Sequence, residues 1–317
     1  MAPITPTQWI WHDGEFVAWA DAQLHVLCHS LQYGSSAFEG IRCYSTPRGP
    51  AIFRLEDHLQ RLVNSCKLYR MDLKYSTDEL VAACCELVER NQLDACYIRP
   101  MVLRGYGAAG MVPFDSPVEV YLPCWPWGAY LGAGALENGV DVCVASWHRV
   151  APNTIPSMAK IAGNYLSGQL IKMEALANGF AEGIALGPDG LVSEGSGQNV
   201  FIVYRGTLRT PTINGTLLHG ITRDAILTLA RESGIPVREE PFPREMLYAA
   251  EEVFFTGTAA EVTPVRSVDR ITIGSGRPGP ITLQLQQRFL DVARGAAEDQ
   301  HGWLTYVRAE RASVRSA

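Results

Sequence analysis

Trp125-Pro126-Trp127-Gly128-Ala129-Tyr130-Leu131-Gly132-Ala133-Gly134-Ala135-Leu136-Glu137-Asn138-Gly139 is the stretch that divides this chain. It is aromatic first and glycine-rich afterwards, which marks a linker at a domain boundary. With 317 residues and roughly 100–200 residues per domain, two domains are expected. They are a small N-terminal one over 1–126, a connection over 127–136 and a large C-terminal one over 137–317. On the N-terminal side, Gln8-Trp9-Ile10-Trp11 and Phe16-Val17-Ala18-Trp19 flank Asp13-Gly14, which predicts a hairpin. Leu55, Leu59, Leu62, Val63 and Cys66 recur at helical spacing within 54–71. Ser76-Thr77-Asp78-Glu79 caps a second helix, which carries Leu80, Cys84, Leu87 and Val88 on one face. Ala95 to Leu103 and Val118 to Leu122 are short and β-rich.

Beyond the linker, Val140 to Trp147 reads as a strand. Asn164 to Ala177 reads as a helix that stops at Asn178-Gly179. Residues 180–209 look like a β-meander. A helix follows over Thr222 to Glu232, then strands at Val253 to Thr256 and Glu261 to Val265, and a last helix over Thr282 to Ala297. Strands and helices in this mixed order predict an α/β or α+β class in two domains. No G-x-G-x-x-G lies between a strand and a helix, so a dinucleotide fold is not indicated.

The charge balance is mildly acidic, with 27 Lys+Arg against 33 Asp+Glu and a net charge of −6. That argues against a nucleic-acid surface, which needs clustered basic residues. Residues 1–20 lack the basic, apolar and small-residue zones of a signal peptide. No apolar run is long enough to span a bilayer. Eight cysteines, all before residue 144, show no C-x-x-C spacing. They read as reduced thiols of a cytoplasmic protein, and no metal site is expected.

Four segments place polar residues among apolar or glycine-rich neighbours. In Ser157-Met158-Ala159-Lys160-Ile161-Ala162-Gly163-Asn164-Tyr165, a lysine between small and apolar residues is poorly placed for a solvated face. Desolvation would lower its pKa and make it a nucleophile toward carbonyls, although a lysine there can also simply snorkel to solvent. Leu191-Val192-Ser193-Glu194-Gly195-Ser196-Gly197-Gln198-Asn199 holds a carboxylate before a small-residue turn, where an exposed acid is the plainer reading. His219-Gly220-Ile221-Thr222-Arg223-Asp224 opens a helix whose N–H groups suit an anion or are simply capped by the threonine. Thr256-Gly257-Thr258-Ala259-Ala260-Glu261 ends a strand in residues small enough for backbone approach to a ligand. Together they supply a Schiff-base lysine, a carboxylate and two anion cradles, which is what pyridoxal phosphate requires.

These segments resemble the class IV (fold-type IV) pyridoxal-phosphate transaminases, and within them the bacterial branched-chain-amino-acid aminotransferases. The likeness extends through Tyr33-Gly34-Ser35-Ser36-Ala37-Phe38-Glu39-Gly40-Ile41-Arg42, Gln60-Arg61-Leu62, Tyr97-Ile98-Arg99-Pro100, Pro126-Trp127-Gly128-Ala129-Tyr130 and Ala151-Pro152-Asn153-Thr154-Ile155-Pro156. It continues with Gly163-Asn164-Tyr165-Leu166, the glutamate signature Glu194, Asn199 and Phe201, and Gly257-Thr258-Ala259-Ala260-Glu261-Val262-Thr263-Pro264-Val265.

The resemblance implies a two-domain fold with the cofactor between the domains. It also implies reversible amino transfer from leucine, isoleucine or valine to 2-oxoglutarate. Lys160 would carry the cofactor and act as acid and base. Glu194 would pair with the pyridine nitrogen, Tyr165 with the 3′-oxygen, and Arg61, Ile221, Thr222 and Thr258 with the phosphate. Phe38, Gly40, Trp127 and Tyr130 would wall an apolar pocket. Tyr97, Thr258 and Ala259 would take the α-carboxylate, and Arg99 and Tyr33 the γ-carboxylate of glutamate. The partners implied are amino acids and 2-oxo acids, with no nucleic acid and no membrane. The assembly implied is a homodimer or trimer of dimers in which the 104–113 loop reaches the neighbouring site. Gln198 and His219 depart from the pattern, which commonly has glutamate and proline there. D-amino-acid transaminase and aminodeoxychorismate lyase share the lysine, the glutamate and the phosphate cup. A non-catalytic binding protein of the same fold is the alternative of a different class. Retention of Lys160 and Glu194 speaks against that last alternative.

Overall fold

In a computed structural model, residues 3–107, 109–128, 131–132 and 134–308 are described. The chain opens with the expected hairpin, β1 (Trp9–His12) and β2 (Glu15–Ala18), turned at Asp13-Gly14 with positive φ at both residues. Next come α1 (His29–Tyr33), β3 (Ser36–Phe38), β4 (Ile41–Thr46) and β5 (Gly49–Phe53). The two periodic segments form α2 (Leu55–Leu68) and α3 (Thr77–Arg90). Ser76 and Glu79 close a capping box at the start of α3, satisfying two of its otherwise unpaired donors. Then follow β6 (Cys96–Ile98), β7 (Met101–Arg104), β8 (Val118–Leu122) and β9 (Cys124–Trp125).

The second part runs α4 (Ala135–Asn138), β10 (Val140–Val144), α5 (Tyr165–Ala177), β11 (Glu182–Leu186), β12 (Val192–Gly195), β13 (Asn199–Tyr204), β14 (Thr207–Thr210), α6 (Ile221–Glu232) and β15 (Val237–Glu239). It ends with α7 (Glu245–Ala249), β16 (Glu252–Gly257), β17 (Glu261–Val268), β18 (Ile271–Thr272), α8 (Pro280–Ala293) and β19 (Leu304–Tyr306).

The described residues form three sheets. Two belong mainly to the first part, in the orders β2-β1-β8-β7-β3 and β19-β5-β4-β6-β9. The β-rich stretch from Ala95 to Leu103 crosses between them at Arg99-Pro100, because Pro100 has no N–H with which to continue a ladder. The chain crosses at two other places, from β3 to β4 at Glu39-Gly40 and from β8 to β9 at Pro123. These corners lie side by side: Glu39 N–H donates to Pro100 O (2.8 Å), and Arg99 N–H to Pro123 O (2.9 Å). Leu55, Leu59 and Leu62 of α2 and Leu80, Cys84 and Leu87 of α3 fill the core against the sheets.

The third sheet has the order β12-β11-β10-β17-β16-β13-β14-β15, with β18 beside β17. The expected meander is therefore only partly present. β11–β12 and β13–β14 are antiparallel hairpins, but β12 and β13 are separated in the ladder by β11, β10, β17 and β16. The sheet curls so that the short Ser196-Gly197 turn joins them, with Gly195 N–H on Gln198 O at 2.7 Å. β19 crosses back to pair with β5. Tyr44 and Phe53 pack with Phe201, Phe254 and Phe289, so the two parts share a core.

Candidate active site

Lys160 sits on an irregular segment held by its backbone from both sides. Its N–H donates to Ser65 Oγ of α2 (2.9 Å), and its carbonyl accepts from Phe38 N–H (3.0 Å). Asn164 Nδ2 donates to the Ala159 and Pro156 carbonyls, pinning the turn. The Lys160 Nζ hydrogen-bonds Tyr165 Oη and lies 4.6 Å and 4.5 Å from the centroids of the Phe38 and Tyr165 rings. Burial lowers its pKa from 10.5 to about 8. Arg61 and Arg99 push the same way, and Glu39 and Tyr97 oppose them. The snorkelling alternative is not what the fold does: this amine is turned inward.

Glu194 is buried, not an exposed turn acid. Arg149 Nη2 lies 2.8 Å from Oε1, while Asn199 Nδ2 (3.1 Å) and Leu218 N–H (3.2 Å) donate to Oε2. Burial raises its pKa, and Arg149, the Leu218 amide and Lys160 pull it back. Tyr165 feels Glu194 and Arg61, so lysine, tyrosine and glutamate share one electrostatic neighbourhood.

Arg61 is held rather than free at the surface. Its Nε and Nη2 straddle Glu39 (2.6 and 2.8 Å), and Nη1 donates to His219 O (2.6 Å). Glu39 is fully buried and also meets His58 Nδ1 at 2.7 Å. Arg61 and His58 hold its carboxyl well below the usual range against the opposing effect of burial. His219 O leads into α6, whose first turn has no side-chain cap. Ile221 and Thr222 start that helix, both buried. Gly220 before them has no room for a side chain, since a Cβ would lie 1.9 Å from Asn199 Oδ1. An uncapped helix start beside a fixed guanidinium suits a phosphate.

The third group lines the strand-crossing corners. Tyr97 is buried, stacked on Trp127 (4.5 Å between centroids). Arg99 lies over Phe38 (5.0 Å) with Nη2 3.5 Å from Tyr97 Oη. Its Nε is buried with no partner among the described residues, which fits a site built for an incoming anion. Gly40 faces Tyr97, where a Cβ would fall 1.8 Å from Tyr97 Oη. Thr258 and Ala259 form the turn between β16 and β17. That turn is tied to the glutamate by the pairing of Thr256 with Asn199 and by the packing of Gly257 on Gln198.

Tyr33 is exposed at the end of α1, its ring 4.6 Å from that of His29. Tyr130 lies outside the described residues. Arg149, Glu39 and His58 were missed as site residues. The one available signal was that a buried carboxylate such as Glu194 needs a cation. Among the described residues no group of His, Cys, Asp or Glu could hold a metal ion.

These features define an aminotransferase-type site. A sequence model of the family amino-transferase class IV matches residues 36–268, and the chain belongs to that family. It is 51% identical over 300 residues to the branched-chain-amino-acid aminotransferase of Escherichia coli (strain K12), covering 94% of this chain and 97% of that one. The fold is similar to a crystal structure of the Escherichia coli branched-chain amino acid aminotransferase, with a TM-score of 0.94 and 51% identity over 95% of this chain and all of that one. It is also similar to the branched-chain amino acid aminotransferase from Thermobaculum terrenum in its PLP-bound holo form. There the TM-score is 0.90 and the identity 35%, with coverage of 96% of this chain and 99% of that one.

Proposed function

We propose that this protein is a pyridoxal-phosphate-dependent branched-chain-amino-acid aminotransferase, exchanging the amino group of leucine, isoleucine or valine with 2-oxoglutarate. The observation that carries the reading is the inward-turned Lys160 amine, pKa lowered to about 8, beside Tyr165 and in the field of buried Glu194. The residues fit the cofactor. Glu194 has one oxygen held by Arg149 and the other by two N–H donors, leaving it oriented to accept one more. Arg61 and the uncapped α6 start suit the phosphate.

When bound, pyridoxal phosphate supplies an electron sink for the substrate Cα–H bond. Lys160 Nζ would be the base that takes the substrate Cα proton and the acid that returns it, which its depressed pKa suits at neutral pH. Glu194 would meet the pyridine nitrogen and keep it protonated. Tyr165 Oη, which hydrogen-bonds Nζ, would also meet the cofactor's 3′-oxygen. Thr258 and Ala259 N–H and Tyr97 Oη bind the α-carboxylate, and Phe38, Gly40 and Trp127 wall the side chain. Arg99 takes the γ-carboxylate of glutamate, so one apolar pocket also accepts a charged side chain without leaving it unpaired.

The division into a 1–126 unit, a 127–136 connection and a 137–317 unit is part of this reading. It is supported by the separation of the third sheet from the other two, with β19 the exception.

We place the enzyme in the cytoplasm, to which its free thiols are suited. No helix among the described residues is long and apolar enough to cross a membrane. We also assign it a homodimer, or a trimer of dimers. One face of α5 is buried through Gly168, Ile171 and Ala175, while Leu166, Leu170, Met173 and Leu176 stay exposed. Leu27, Leu31, Met111, Val112 and Phe114 are exposed around α1 and the 104–113 loop. Apolar surface on this scale is what subunit contacts cover. In this reading exposed Tyr33, at the end of α1, would serve a neighbouring copy's site.

The test is spectroscopic and kinetic. Purified protein should absorb in the visible, be bleached irreversibly by borohydride, and show its highest kcat/KM with L-leucine, L-isoleucine and L-valine in a panel of L- and D-amino acids with 2-oxoglutarate. Lys160→Ala should lower transamination by several orders of magnitude. A colourless protein that gains no colour with added cofactor would sink the enzyme reading, and a preference for D-amino acids would replace the substrate class.

A further inference from the structure

We propose that Arg42 and Glu261 form a latch between the two parts of the molecule that fixes the Thr258–Ala260 turn and thereby sets affinity for the carboxylate common to all substrates. The proposal rests on the reading in which the Thr258 and Ala259 amides bind that carboxylate. Arg42 Nη1 lies 3.0 Å from Glu261 Oε1, and Tyr44 Oη donates to the same oxygen at 3.1 Å. The guanidinium also lies over the Tyr44 ring at 5.0 Å. Glu261 and Tyr44 are buried, and Arg42 nearly so. The pair joins β4 of one sheet to the first residue of β17 in another.

Both ends of this contact are set by local structure. On β4, Arg42 and Tyr44 project to one side while Ile41 and Cys43 fill the core on the other. Glu261 pairs with Gly257 across the turn and has φ 53°, a left-handed conformation that a glutamate occupies only when its surroundings impose it. The ion pair supplies that imposition. Arg42 is also the direct cross-strand partner of Tyr97. One strand pair therefore carries Tyr97 on one side of the carboxylate and anchors the amide turn on the other. Their separation is fixed by β-ladder geometry, with Arg42 as a positioning residue.

The holoenzyme tests this with 4-methylpentanoate, an unreactive branched carboxylate whose binding is read from the cofactor's absorbance. Arg42→Met and Glu261→Gln should each weaken its Kd about tenfold and raise KM for leucine and 2-oxoglutarate alike, with kcat changed less than about threefold. The double variant should be no worse than either single one, because both remove the same contact, and Arg42→Lys should recover most of the loss. If Arg42→Met does not fold, Glu261→Gln, which keeps size and polarity, carries the same test. Unchanged Kd and KM in these variants, whatever their Tm, would overturn the latch. Ala259→Pro, which deletes one cradle N–H, separates the two ideas. If it weakens 4-methylpentanoate and the latch variants do not, only the latch fails. If it binds as wild type, the cradle reading fails and takes the latch with it.

Discussion

Lys160 and Arg99 are both cations in an aromatic setting, and their surroundings set them opposite tasks. Lys160 can shed its proton, and burial makes that easier. A neutral amine is needed to capture the cofactor's aldehyde, and its population rises with pH through the lowered value. Capture of pyridoxal phosphate by apoenzyme should therefore accelerate with pH with a midpoint near 8. Stopped-flow absorbance would show this, and a midpoint near 10.5 would place the amine in solvent. Arg99 lies over Phe38 with a buried Nε that has no partner among the described residues. Arg99→Ala should raise KM for glutamate and 2-oxoglutarate by about tenfold or more while leaving leucine within a few fold, on the scale of one charge-assisted pair. Equal losses for both would remove Arg99 from the γ-carboxylate. Of these two residues, Lys160 was visible as a misfit in its sequence neighbourhood. Glu194 read more plainly as an exposed turn acid, because Arg149, its partner, lies 45 positions earlier with no spacing signal.

Helix α5 and the Ser196 turn show how elements, rather than residues, hold the site. Gly168 faces the backbone, and a Cβ there would lie 2.2 Å from Ser196 O. Alanine normally favours a helix over glycine by about 1 kcal/mol. The clash is with backbone that cannot swing away, and overpacking of this kind costs about 1–3 kcal/mol. Gly168→Ala should therefore lower Tm and weaken cofactor binding, because the displaced turn adjoins Glu194. Unfolding scans with and without cofactor would measure both, and a stabilised variant would contradict the packing. The helices were legible in the sequence because apolar spacing and caps are local. The break at Arg99-Pro100 was missed because β-rich composition runs through it and only the proline's lost donor marks the corner. The meander was over-read because hairpins are local while the curl that separates β12 from β13 is set by long-range pairing.

At the scale of the whole molecule, the exposed apolar rows of α5, α1 and the 104–113 loop are predicted to meet a second copy. Leu170→Glu with Met173→Glu should shift the assembly toward monomer in analytical ultracentrifugation and lower kcat/KM, since Tyr33 would lose the neighbouring site it is proposed to serve. A monomer from the start, or an unaltered assembly, would reject that face.

The sequence alone determined the class of the protein. The helical and strand segments, the glycine-rich connection and the Lys160, Glu194, His219–Asp224 and Thr256–Glu261 segments are local patterns, and together they matched one family. Tertiary structure decided which charges meet. Glu39 with Arg61, Arg149 with Glu194 and Arg42 with Glu261 are separated by 22, 45 and 219 positions. Each pairing depends on strand order and on corners where the chain changes sheets. An ion pair is set by distance and burial in space, and those quantities exist only once the sheets have closed around the site.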